Sequence, residues 1–366
     1  MLIYYAFYAI MIIVAALCFK TQTFKSQEKA KRFFCIVGFV CLALIMSLRH
    51  PSSGLDIIGL GGENIGYIGT FKQIAKLSWS KALTFKVLNY EQGYTILAKF
   101  LSMISKDSQI LLVGCGIIQS ASLFFLIYKT SKKPLLSTII YLALPCFFIY
   151  WSGLRQGIAI SITMLAFLMI KEKKLIKFIL LVILAWLFHA SAIVFLIAYP
   201  LYHLKMSSIW KLVSVITIPL VYIFREPLFE MFSVIFKEDA KIGDTGASTL
   251  FLVFVLIYVF LIFFGNSKNK QLNGCANLFW VACLVQTFSG IYDTAMRVGY
   301  YFMVYAIISI PEVVSNDEKN NTLSYQYKTL ISMLLFLAFI SYGVFTIHGA
   351  QGDSWFTTNP YRFFWQ

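Results

Sequence analysis

Tyr150-Trp151-Ser152-Gly153-Leu154-Arg155-Gln156-Gly157-Ile158-Ala159 joins two long apolar runs, one over about 135–151 and one continuing to about 170. Each run is close to the length that crosses a hydrocarbon core of about 30 Å, so the polar turn between them reads as a reversal at a membrane boundary. The turn holds Arg155, a fixed cation where a bilayer protein is cheapest to leave apolar. Ionisable residues at membrane depth are functional candidates by default.

Composition extends this reading to the whole chain. Of 366 residues, 59% are hydrophobic and only 13% charged, against about 25% charged in soluble domains. Apolar stretches of roughly 15–20 residues recur between short basic loops. The fold class is therefore all-α, a polytopic helical membrane protein forming one integral membrane domain over 1–366. A transmembrane β-barrel would show short alternating segments instead. Leu2–Phe19 has no basic residue before it and no small-residue cleavage site after it, and reads as a retained first span. The seven cysteines all fall in apolar stretches without CxxC or Cys/His ligand spacing, so neither a disulfide nor a metal site is expected.

The net charge of +15 sits mostly in alternate loops. Lys20, Lys25, Lys29, Lys31 and Arg32 follow the first span; Lys129, Lys132 and Lys133 the third; Lys171, Lys173, Lys174 and Lys177 the fifth. By the positive-inside rule these loops are cytoplasmic, and both termini lie outside. The charge is thus a topology signal and a contact for anionic membrane lipids, with no nucleic-acid partner implied. The count comes to about 12 transmembrane helices. It requires that 90–105 not cross, since otherwise the later Lys-rich loops would move outside. Three polar segments then lie outside: the insertion 49–107, the loop 225–247 and the tail 349–366. In the insertion, Lys72, Lys76, Lys81 and Lys86 recur among Ile, Phe, Leu and Trp, which predicts interfacial helix with the Lys heads among lipid headgroups.

With this topology Arg49, Asp56, Glu91, Arg155, His189, Asp293 and Arg297 all reach the outer side. Gly153 and Gly157 permit a close approach or a bend, and place Arg155 and Gln156 on the first turn of the next helix. A guanidinium fork matches phosphate oxygens. A helix N-terminus adds partial positive charge and free N–H groups. Together they suit a pyrophosphate, while a snorkelling or salt-bridged Arg is the plainer alternative. His189 is either a core histidine bonded to a carbonyl or a donor and proton-transfer group, which Ser191 could orient. Asp293 and Arg297 have the spacing of a helical ion pair, and Arg49 and Asp56 could pair across their loop. A carboxylate left over, Asp56 or Glu91, suits a general base on a sugar hydroxyl. Nearby Tyr and Trp fit sugar stacking or an ordinary interfacial belt.

Taken together, Arg49…Gly54-x-Asp56, Glu91-x-Gly93-Tyr94, Ser152-Gly153-Leu154-Arg155-Gln156-Gly157-Ile158-Ala159, Phe188-His189-x-Ser191-Ala192, Arg297-x-x-x-Tyr301-Phe302 and Pro360-Tyr361 resemble the EpsG family of bacterial exopolysaccharide proteins, similar to Wzy-type O-antigen and capsule polymerases. The resemblance covers most of the chain in order. One motif departs: a Tyr expected soon after Asp56 is delayed by a glycine-rich insertion to Tyr67. The resemblance implies a GT-C-like membrane glycosyltransferase in the bacterial inner membrane. Its substrate would be an undecaprenyl-pyrophosphate-linked oligosaccharide, polymerised at the outer face without a metal or other cofactor. A chain-length regulator and a flippase are the implied protein partners. It adds Tyr301 and Tyr361 to Arg49, Arg155, Gln156, Asp293 and Arg297 as substrate contacts, with His189, Asp56 and Glu91 as catalytic candidates. A flippase for the same lipid-linked sugars, or another outer-face ligase or acyltransferase, are the alternatives.

Overall fold

A computed structural model describes residues 1–21, 23–59, 66–85, 90–236, 249–291, 293–315, 325–349 and 358–366. Among these the chain is helical, apart from an isolated antiparallel bridge between Arg49 and Phe363. The order is α1 (Leu2–Phe19), α2 (Gln27–Ser47), α3 (Leu55–Ile58), α4 (Tyr67–Lys76), α5 (Trp79–Thr84), α6 (Gln92–Ile104), α7 (Gln109–Thr130), α8 (Pro134–Ala143), α9 (Pro145–Ser152), α10 (Leu154–Lys171) and α11 (Leu175–Trp186). A 3₁₀ segment (Ala190–Ile197) leads to α12 (Ala198–His203), α13 (Ser208–Ile223), α14 (Arg225–Phe236), α15 (Thr249–Phe264), α16 (Lys270–Gln286), α17 (Asp293–Met303), α18 (Ala306–Val313) and α19 (Tyr325–Gly349).

Five of these helices, α1, α2, α7, α10 and α19, are long and apolar enough to cross a membrane, and the bent pairs α8–α9 and α13–α14 raise the number to seven. The chain is a polytopic helical membrane protein, with fewer full-length crossings among the described residues than the twelve expected from hydropathy. The shortfall has local causes. Pro145 removes an N–H donor and holds Leu144 extended, so the run 135–151 breaks into α8 and α9 at 61°. The two spans expected on either side of a break at His189, about 176–188 and on to 204, are separated there but fall short of crossing length, as the 12-residue α11 and the 3₁₀ segment with α12. The expected loop 225–247 begins as helix α14, bent 79° from α13; residues 237–248 lie outside the described set. Large apolar side chains such as Ile13 on α1 and Leu334, Leu337 and Phe345 on α19 stay exposed, as a lipid-facing surface requires.

Packing divides the chain into two units, Met1–Ile193 with Leu335–Gln366, and Val194–Leu334. In the first, α2 and α7 run antiparallel. At one end Gln109 Nε2 donates to the carbonyls of Ser47 (2.6 Å) and Arg49 (3.0 Å). At the other, the Tyr128 hydroxyl donates to Glu28 (3.1 Å). The C-terminal residues 358–366 join the Gln109 end: the His50 amide donates to the Arg362 carbonyl and the Phe364 amide to that of Leu48. Met1 and Tyr4 reach Asn359 and Thr358 there as well.

Segment 49–107 leaves and returns at that same end. None of α3 to α6 reaches crossing length, and α6, with 13 residues, spans about 20 Å. Exposed Lys72, Lys76 and Lys81 lie on α4 and α5, while Lys86 falls outside the described residues. Lys99 on α6 and Lys106 just beyond it reach across to the Leu77 and Ala75 carbonyls at the end of α4. They satisfy acceptors that a helix C-terminus leaves open.

The second unit is built around polar contacts in an apolar interior. Asn277 on α16 is fully buried; its amide donates to the Leu201 and Leu204 carbonyls and accepts from Trp210 Nε1, all at 2.9 Å. Glu312 on α18 accepts from Asn269 and Gln271.

The antiparallel arrangement puts Lys106 and Lys129 at opposite ends of the first unit. The native cysteines are buried, apart from half-buried Cys41, so single cysteines can be read against a low background. Lys106→Cys and Lys129→Cys should each react with an impermeant maleimide from opposite sides of the membrane. Labelling of both from one side would overturn the arrangement.

Candidate functional site

The site grows from the turn between α9 and α10, where two helix ends of opposite polarity meet. The last carbonyls of α9 are electron-rich; the first N–H groups of α10 carry partial positive charge. Arg49 serves the first end. Its guanidinium is buried (1% exposed), lies 4.7 Å over the Trp151 ring and donates from Nη2 to the Tyr150 carbonyl at 3.0 Å. Burial pushes the guanidinium down to about 10, still far above neutrality, so it remains a cation. The Arg49–Asp56 pairing considered from the sequence is replaced by this contact, because the turn carbonyl and the indole face take the guanidinium.

The loop after Arg49 presses on the same turn. Gly54 has φ of +102°, and a Cβ there would lie 2.1 Å from the Trp151 carbonyl oxygen, so only glycine fits. The Asp56 amide donates to Ser152 Oγ at 3.1 Å. Tyr361 closes the back of the cluster. Its hydroxyl donates to the Ile45 carbonyl and its ring meets Trp151 and Tyr4 edge to face. Arg49 and Tyr361, expected as substrate contacts, thus hold the turn from behind.

Arg155 faces the second end. As the second residue of α10 it sits against the positive pole of its own helix, which only an anion relieves. Glu91 supplies that anion. Its Oε2 pairs with Arg155 Nη1, with both side chains mostly buried at 17% and 21% exposure. Glu91 Oε1 accepts from the Ala190 amide at 2.8 Å. Both carboxylate oxygens are therefore engaged, and Glu91 positions Arg155 instead of standing ready as a base. Tyr90 lies 4.1 Å from the guanidinium carbon, and Arg155 Nε donates to the Tyr67 hydroxyl at 3.3 Å. The delayed tyrosine thus arrives at the arginine after all.

Tyr67 and Tyr90 are stacked at 5.3 Å, and Tyr94 fixes Tyr67 by donating to its carbonyl at 2.9 Å. Burial raises both the Tyr67 and Tyr90 phenols; Arg155 opposes the rise and the Asp56 carboxylate adds to it, so both keep their protons at neutral pH. Asp56 therefore belongs to this cluster, half-buried beside the tyrosines. Gly93 explains its own place in the motif. Its amide donates to the Leu187 carbonyl, and a Cβ would sit 2.6 Å from that oxygen, so glycine lets α6 reach the end of α11.

That contact brings in His189. Its Nδ1 accepts from the Ser191 amide (3.4 Å) and meets Ser191 Oγ at 2.7 Å. An amide can only donate, so in the neutral ring Nδ1 is the acceptor and Nε2 carries the proton. His50 and Ser52 repeat this device, with the Ser52 amide donating to Nδ1 at 3.1 Å and Oγ at 2.7 Å. The repeated His-x-Ser spacing was the available signal for His50, which charge-based reading passed over. Gln156 is buried (1% exposed) on the first turn of α10, and its Oε1 has no hydrogen-bond partner among the described residues.

Arg297 and Tyr301 belong to the second unit, on α17. Arg297 is half-buried, whereas Tyr301 is fully buried and serves as core. The side chain of Asp293 lies outside the described residues. Within the first unit, the cluster around Arg155 contains Asp56, Tyr67, Tyr90, Glu91 and His189, with Arg49, Ser152 and Tyr361 bracing it.

Glu91→Gln keeps an acceptor for Ala190 but removes the charge that offsets Arg155 and the helix end. A hydrogen bond to a charged group contributes about 1.5–3 kcal/mol, so the variant should unfold several degrees earlier in a fluorescence thermal melt. An unchanged midpoint would mean that the pair does not hold the site.

The sequence profile of the EpsG family matches residues 33–363, nearly the whole chain. No curated protein and no solved structure matches. The match runs from α2 through the Arg49 loop, the Glu91–Arg155 pair and His189 to the C-terminal Tyr361 brace. The chain belongs to the EpsG family, a family of exopolysaccharide and Wzy-like polymerases.

Proposed function

We propose that this protein polymerises undecaprenyl-pyrophosphate-linked oligosaccharide repeats, by glycosyl transfer at the outer face of the bacterial inner membrane, in a GT-C-like membrane enzyme. The observation that carries the reading is Arg155. It is a cation at a helix N-terminus, held by one carboxylate and faced by two tyrosine rings, at the end of the first unit opposite its basic loops. By the positive-inside rule those loops are cytoplasmic, which turns the Arg155 end outward and leaves both termini outside.

The chemistry follows from the charges. A hydroxyl of the acceptor repeat attacks the anomeric carbon of the donor. The bond from that carbon to the pyrophosphate oxygen breaks, and the hydroxyl proton passes to the Asp56 carboxylate. Negative charge grows on the departing pyrophosphate, and Arg155 with the first N–H groups of α10 stabilises it. The pyrophosphate takes over the place of Glu91 as counter-ion, and Glu91 returns Arg155 to its resting position afterwards. Tyr67 and Tyr90 offer ring faces to sugars, and His189 donates from Nε2 to a phosphate or sugar oxygen.

Removing one preorganised charge-stabilising donor typically costs 10²–10³-fold in rate, to order of magnitude. Cells carrying Arg155→Ala at normal protein level should therefore lose long chains on a polysaccharide gel, with single lipid-linked repeats still reaching the outer face. Arg155→Lys should recover only part of the chain length, because an ammonium lacks the planar fork. Normal chains in Arg155→Ala would remove the residue from the mechanism. Repeats stalled on the cytoplasmic face would favour lipid-linked sugar transport instead.

A further inference from the structure

The opposite end of the first unit carries a feature that the glycosyl-transfer site does not use. A groove of about 580 Å³ opens between α2 and α7. Its α2 wall is one helical face, Arg32, Cys35, Ile36 and Phe39. On α7 the small side chains of Ala121 and Ser122 leave room that a larger residue would fill, and Phe125 and Tyr128 continue the wall. Arg32 to Phe39 covers about 10 Å along α2, from the basic end into the span.

The charges gather at the mouth. Arg32 is exposed and, among the described residues, has no ion-pair partner. Lys129 reaches over the same rim, its ammonium 5.6 Å from the Phe125 ring and 5.5 Å from that of Tyr128. Of the carboxylates near this rim among the described residues, Glu28 already accepts from the Tyr128 hydroxyl, and Glu172, within the field of Lys129, is paired with Lys174. The groove is thus an apolar slot, open along its length, with two cations at its membrane-boundary end and net positive charge there.

We infer that this groove holds one acyl chain of an anionic phospholipid, with the headgroup phosphate on Arg32 and Lys129. A slot lined by apolar side chains of α2 and α7, with Leu165 of α10, suits an acyl chain better than a soluble ligand. A zwitterionic lipid would bring its own cation against a mouth that is already positive. Each basic residue near a membrane surface adds to the attraction for anionic lipid, and two together correspond to more than a tenfold preference.

The test is native mass spectrometry of the full-length protein in mild detergent, delipidated and then titrated with phosphatidylglycerol or phosphatidylcholine. Wild type should take up one phosphatidylglycerol at a concentration at least tenfold below that needed for phosphatidylcholine. Arg32→Gln with Lys129→Gln should abolish the preference. Ala121→Phe, at an exposed position, keeps both charges and fills the groove; it should weaken phosphatidylglycerol binding about tenfold. Equal uptake of both lipids by wild type would overturn the assignment. So would unchanged binding in Ala121→Phe, which would leave a headgroup on the rim with no chain in the slot.

Discussion

The first unit depends on how two arginines are placed at one helix junction. Where α9 ends and α10 begins, carbonyl dipoles and amide dipoles point at one small region from opposite sides. Arg49 approaches the carbonyl end, where its charge is welcome, and can therefore be buried against Trp151 without a carboxylate. Arg155 stands at the amide end, where the field of its own helix repels it. Such a cation has to be held by an anion, and Glu91 is that anion. The difference between the two arginines is one of polarity. Arg49 is held by one carbonyl and an indole face, with Nε and Nη1 buried without a hydrogen-bond partner among the described residues, whereas Arg155 is paired with a carboxylate.

Most of the surrounding structure follows from holding Arg155 in that state. Glu91 is itself fixed, because its second oxygen accepts from the Ala190 amide. That tie requires α6 to touch the end of α11, which Gly93 permits by lacking a side chain. Tyr94 then fixes Tyr67, and Tyr67 with Tyr90 covers the guanidinium. On the other side, Gly54 and Asp56 hold the Trp151–Ser152 backbone, and residues 358–366 brace Arg49 through the Arg362 carbonyl and Tyr361. Segments far apart in the chain therefore form one supporting shell, the arrangement that precise positioning of a charged group demands.

The two ends of this unit do different work. Arg155 and its neighbours lie at one end of the helices, while the basic loops and the α2–α7 groove lie at the other. The buried ion pair of Arg155 is thereby kept apart from the exposed cations at the groove mouth. The same excess of Lys and Arg that sets topology also supplies Arg32 and Lys129 at the groove mouth.

The helical membrane class, the basic ends and the identity of the key ionisable residues were legible in the amino-acid sequence. Hydropathy and charge are local properties, and a lone Arg155 or His189 in an apolar run is costly wherever the chain folds. The number of full crossings was less legible, because Pro145 breaks a run whose composition looks continuous and the halves on either side of His189 are too short to cross. The roles of individual residues were decided by tertiary structure. Arg49 and Tyr361 carry the same chemistry in sequence as Arg155 and Tyr67, yet the first pair braces the turn and the second faces the site. Glu91 looked like a spare carboxylate until packing tied both its oxygens. Sequence fixes which groups are charged; only the folded chain decides which partners they meet, because hydrogen bonds and ion pairs act within a few ångströms and join residues up to 358 positions apart.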